Sequence, residues 1–166
     1  MASVREPDPM ASYLMAQQAR VLECLMSFAS GEAPSALCTV RAIIRALGDA
    51  EAEVLYPAFS RIQRSLEIEY LLTDSRDSRA RQLEALEAVA RRRGPRLRKL
   101  AAVELADQLR RQFEQQVSEL IPVLASRLPR ALYRSIASAF VARCQLALAG
   151  GVHDRRSPRR APSRAG

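Results

Sequence analysis

Glu51 interrupts a helical stripe that is otherwise apolar: Leu37, Val40, Ile44, Leu47, Glu51, Val54, Ala58 and Ile62 follow one another by threes and fours. A carboxylate at that position points inward. Three glutamines do the same on other stripes. Gln18 lies four residues after Leu14, and Gln112 and Gln116 belong to the series Leu105, Leu109, Gln112, Gln116, Leu120, Val123. A buried polar group left without a partner costs about 1–3 kcal/mol, so these residues are expected to find one another. The first reading is a satisfied network in which glutamine amides donate to the Glu51 carboxylate. A small-ligand pocket and residual metal binding around the same residues are the alternatives.

Other chemistry is harder to build. The only histidine, His153, sits near the C-terminal end, so no Ser/His or Cys/His pair forms within the helical region. There is no glycine-rich phosphate loop. Cys24, Cys38 and Cys144 are odd in number and far apart, and read as small core hydrophobes in a reducing compartment. No catalytic residue, metal ligand set or cofactor is expected.

The net charge is +8, and residues 154–166 supply five Arg against one Asp, half of that excess. Arg91, Arg92, Arg93, Arg96, Arg98 and Lys99 place six cations in nine residues around Gly94-Pro95. They read either as a solvated corner or as a phosphate-binding patch. Arg155, Arg156, Arg159 and Arg160 add a basic tail able to hold nucleic acid or an acidic surface weakly by counterion release. No aromatic residue interleaves the arginines to stack on bases.

The elements that carry these residues are helical. The 166 residues are rich in Ala, Leu, Arg, Glu and Gln, with 5% aromatics and no Trp. A first helix is expected over 10–29 on Leu14, Val21, Leu25 and Phe28, and a second from an N-cap at Ser35 to about Arg64, kinked by Pro57. A third spans about 66–92 but contains Thr73 to Arg79, a stretch without an apolar residue, read as a solvated turn or as a break. A fourth runs over 96–127 with Pro122 inside it. A short fifth, on Leu132, Ile136, Phe140 and Cys144, ends at Gly150-Gly151. Residues 1–9 are expected to be a disordered lead, 10–150 one domain and 151–166 a disordered basic tail. No apolar run approaches the ~18 residues of a membrane span, and Met1 to Pro9 hold no apolar signal core, so a cytoplasmic protein is expected.

Helices two and four repeat at an offset of 65 residues: Leu47 with Gln112, Glu51 with Gln116, Leu55 with Leu120 and Pro57 with Pro122. The segment Glu51-Ala52-Glu53-Val54-Leu55-Tyr56-Pro57-Ala58 resembles the hallmark of hemerythrin-like (HHE cation-binding) domains. There a His is followed four residues later by an acid and then by an aliphatic-aromatic-Pro close. Gln112 to Pro122 resembles the second copy, and Leu14 to Leu25 the opening helix, over roughly residues 10–148 in all. The resemblance implies an antiparallel four-helix bundle with a short extra C-terminal helix and a di-iron site. The former metal-site positions would be Gln18, Leu47, Glu51, Gln112 and Gln116, with a slot in the third helix near Ser75. Only Glu51 keeps a ligand type, whereas iron takes imidazole and carboxylate donors. The resulting expectation is a non-enzymatic, metal-free member of the family, a regulatory or protein-interaction module. A metal, oxygen or small-ligand sensor built around Glu51 is the alternative, and a basic nucleic-acid-associated protein the third.

Overall fold

In a computed structural model, residues 8–62 and 65–153 are described, with side chains to residue 150, and every regular element among them is helical. Helix α1 (Pro9–Ser30) begins earlier than expected. Asp8 is its N-cap, with Oδ1 accepting from the backbone N–H of Met10 at 2.9 Å and of Ala11 at 3.0 Å, and Pro9 takes the first helical position, where a missing N–H costs nothing. The other Asp8 oxygen accepts from the Tyr133 hydroxyl, so residues 8 and 9 belong to the folded body and not to a disordered lead. Residues 1–7 lie outside the described residues. Gly31 ends α1 at φ 84°, a left-handed conformation in which its N–H reaches Phe28 O.

Helix α2 (Ala36–Ala50) starts without help from Ser35, whose side chain makes no capping bond. It continues into a π-helical turn, Glu51–Leu55, and a short α3 (Tyr56–Phe59). The same sequence of events recurs later: α5 (Pro95–Gln115), a π-turn at Gln116–Leu120, then α6 (Ile121–Arg127). In each turn a wide i→i+5 hydrogen bond closes the ring, Tyr56 N–H to Glu51 O and Ile121 N–H to Gln116 O. The cause lies two residues on. Pro57 and Pro122 lack an N–H, and in a regular helix their rings would press on the carbonyls of Glu53 and Ser118. A π-turn absorbs one extra residue and relieves that contact. The extra residue also turns the buried face, so Leu55 and Phe59 occupy the core while Val54 and Ile62 are only half-buried.

Helix α4 (Leu66–Arg91) is continuous through Thr73–Arg79, capped by Ser65 Oγ accepting from Ile68 N–H. Its buried face is Ile68, Leu71, Leu72, Ser75, Arg79, Gln82, Leu86 and Val89, while Leu66 and Tyr70 are exposed. Helix α7 (Arg130–His153) is 24 residues long, not short, and passes through Gly150-Gly151. Around the core, α1 packs on α2, α5 and α7, α4 packs on α2 and α5, and α7 also packs on α2 and the first π-turn. Phe59, Phe113 and Phe140 are the largest wholly buried side chains. No described helix is long and apolar enough to cross a membrane.

Candidate functional site

The two π-turns each begin with a residue aimed at the interior. Glu51 opens the first and Gln116 the second, both essentially without solvent exposure. They meet directly: Gln116 Nε2 donates to Glu51 Oε1 at 2.5 Å, joining two positions related by the 65-residue repeat. Helix α4 supplies the remaining partner. Arg79 lays its guanidinium on the carboxylate, with Nε at 3.1 Å from Oε1 and 3.0 Å from Oε2 and Nη2 at 2.5 Å from Oε1. Its other donors go to Gln116 Oε1 at 3.3 Å and, through Nη1, to Gln82 Oε1 at 2.8 Å. The Phe113 ring lies 5.8 Å from the guanidinium carbon, within range of a cation–π contact.

A second branch leaves the other carboxylate oxygen. The Tyr56 hydroxyl is 3.2 Å from Glu51 Oε2 and 3.2 Å from Ser75 Oγ, and Gln112 Nε2 donates to Ser75 Oγ at 3.1 Å. A phenol has one proton and the carboxylate is the stronger acceptor, so Tyr56 donates to Glu51. Outside the cluster, Arg76 stacks on the Tyr56 ring at 4.7 Å.

The electrostatics follow from this enclosure. Burial opposes the charge on Arg79, but Glu51 beside it more than offsets that, and the guanidinium pKa is raised. Burial, with Glu51 next to it, raises the Tyr56 phenol. Burial pushes the Cys144 thiol up to about 12, with the Glu51 charge adding to the effect, and its Sγ rests 3.7 Å from Ala46 O. The arrangement is a charge-neutral buried ion pair in which both Glu51 oxygens are engaged by Arg79, Gln116 and Tyr56. It offers no free base or nucleophile at Glu51.

Of the sequence-derived positions, Glu51, Gln112, Gln116 and Ser75 converge. Gln18 does not: it is half-buried on α1, and no hydrogen bond links it to Glu51. Leu47 is plain core. Arg79, Gln82 and Tyr56 were not among the expected residues. The signal for the α4 pair was present, since Ile68, Leu72, Ser75, Arg79, Gln82, Leu86 and Val89 step by four and three without a break. Counting apolar residues alone hides it. Arg91, Arg92, Arg93 and Arg96 are exposed at the α4–α5 corner, and Arg98 covers the Phe28 ring at 5.7 Å. Arg155, Arg156, Arg159 and Arg160 lie outside the described residues.

The residue set does not fit the iron centre that the hemerythrin-like resemblance implies. Leu47 has no donor atom, the glutamines offer only amides, and both Glu51 oxygens are occupied by Arg79, Gln116 and Tyr56. Among the described residues no group of three or more His, Cys, Asp or Glu is placed to hold a metal ion. No family model, curated protein or solved structure matches the chain.

Proposed function

We propose that this chain is a degenerate hemerythrin-like domain, an antiparallel four-helix bundle with an added C-terminal helix. In it an internal Arg79–Glu51 ion pair takes the place of the metal centre, and the protein works as a regulatory or protein-interaction module, not as an enzyme. The observation that carries the reading is the guanidinium of Arg79 lying on the one candidate position that keeps a ligand-type side chain. A cation covalently attached to the scaffold supplies the positive charge that the Glu51 carboxylate needs in a buried setting. The paired π-turns, opening on Glu51 and Gln116, support a two-fold repeat of helical hairpins. The sensor reading loses its donors for the same reason, because a metal at Glu51 would have to displace Arg79 into the core.

The test is elemental analysis and a visible absorption spectrum of freshly purified, untagged protein, with thermal melting in the presence and absence of chelator. The expected result is colourless protein with far less than one transition metal per chain and the same melting temperature in both conditions. A resident metal at 100 times its Kd would stabilise the fold by about 2.7 kcal/mol, so its removal would lower the melting temperature by several degrees. Near-stoichiometric metal together with such a shift would overturn the proposal.

A further inference from the structure

The buried cluster comes close to the surface beside α4 and α5. Between α4 and α5 lies a groove of about 940 Å³. It is left open because Ser78, Ala85 and Ala88 are too small to fill the space between the helices. Gln82 and Gln112 line it, although they are only 2% and 4% exposed. Each has one end of its amide committed inward. Gln82 Oε1 accepts from Arg79, which has donors only, and this fixes Gln82 Nε2 as the remaining end. Gln112 Nε2 donates to Ser75 Oγ, leaving Gln112 Oε1 as the remaining end. Among the described residues neither of these two atoms makes a hydrogen bond. The groove therefore presents one preset amide donor and one preset acceptor, locked by the interior network.

Its walls carry charge opposite to that of the chain as a whole. Asp74 pairs with Arg81 at 3.1 Å, which leaves Arg111 against Glu84, Glu114 and Glu119, three carboxylates that form no salt bridge among the described residues. From Asp74 to Ala88 the α4 wall runs for 14 residue steps, about 21 Å, enough for about six residues of extended chain. A peptide group offers one N–H and one C=O, the complement of Gln112 Oε1 and Gln82 Nε2, and basic side chains complement the three free carboxylates. We infer that the α4–α5 groove binds a basic peptide segment in extended form. The inference rests on the interaction-module reading and gives that module a partner chemistry.

The probe is a fluorescein-labelled, end-blocked hexapeptide of alternating Arg and Ala, titrated with the full chain and followed by anisotropy. Saturable binding is expected, weakened at least about tenfold by Glu84→Gln/Glu114→Gln/Glu119→Gln and by Ala85→Phe, which fills the groove over Gln82 and Gln112. Spermine, which has cationic groups but no carbonyl, is expected to compete at least about tenfold less well than unlabelled peptide. Circular dichroism checks that both variants fold. Amide chemical-shift changes confined to α4, α5 and the Gln116–Leu120 turn of the wild-type chain give the same answer without a variant. No binding, equal binding by the variants, equal competition by spermine, or shift changes spread away from the groove would each overturn the inference. Stoichiometric metal in the purified protein would sink the metal-free module instead, and leave the peptide result standing on its own.

Discussion

Arg79 and Glu51 form a unit whose cost and benefit cannot be assigned to either residue alone. Each charge is buried, and each is tolerable only because the other is there. Arg79→Met leaves a carboxylate in the core with amide and phenol partners but no counter-charge, and Glu51→Leu strands a guanidinium. Each single change is expected to cost about 3–5 kcal/mol in urea denaturation. The double variant removes both charges and fills the space with apolar atoms. It is expected to recover much of that loss, since buried pairs are often replaceable by hydrophobic residues at little cost, less about 1–3 kcal/mol for buried Gln116, which loses both amide partners. If the double variant loses as much as the two singles together, the pair is not the unit described. The inward position of Glu51 was legible from its spacing on an apolar stripe. The arginine was not, because a long cationic side chain in a run of Asp, Ser and Arg belongs on the surface unless a buried partner claims it, and the partner lies 28 residues away.

The elements hold this pair in place through the two π-turns. Pro57 and Pro122 were legible as irregularities in otherwise helical segments, and their matched spacing made the repeat visible. The form of the irregularity was not legible. A kink and a π-turn both satisfy a missing N–H, and what selects the wider turn is the burial it permits downstream, of Leu55, Tyr56 and Phe59 in one copy and Leu120, Ile121 and Leu124 in the other. The continuity of α4 was hidden for a related reason: its middle turns are held by the polar cluster and not by apolar contacts. Deleting Ala52, an exposed residue inside the first π-turn, is expected to remove the residue that the turn absorbs and leave Pro57 to kink the helix. It would also rotate Glu51 by about 100° relative to Leu55 and Phe59. Either the ion pair or the aromatic anchor must then leave the core, and thermal melting by circular dichroism should fall steeply. Pro57→Ala keeps the residue count and is expected to lose little, because Pro57 is exposed and its replacement only adds a donor. Equal melting of the deletion variant and wild type would show that the π-turn sets nothing.

At the scale of the whole molecule, stability in alkali reports how α7 closes on α1 and α2. All but one of the 26 cations are arginines, which keep their charge beyond pH 12, so base does not discharge them and the response falls on buried acids. Cys144 of α7 rests against Ala46 of α2 and meets Tyr13 of α1, and burial raises both groups to about 12, from ordinary values of 9.0 and 10.0. A raised folded pKa means that the unfolded chain releases its proton first. The stabilisation is therefore intact below about pH 9 and is lost as pH climbs towards 12. The slope has a ceiling of about 1.4 kcal/mol per pH unit for each proton. Urea midpoints are expected to hold steady from neutral pH to the unfolded thiol range and then fall. The fall should steepen above pH 10 as Tyr13 joins together with Tyr56 and Tyr133, which burial raises further still, while half-buried Cys24, raised by burial in the same direction, adds a smaller part. Cys144→Ala should remove the early part of the fall and keep the later, tyrosine-driven part. A profile that is flat to pH 11, or one unchanged by that substitution, would mean that α7 does not seal the Cys144 thiol against α1 and α2.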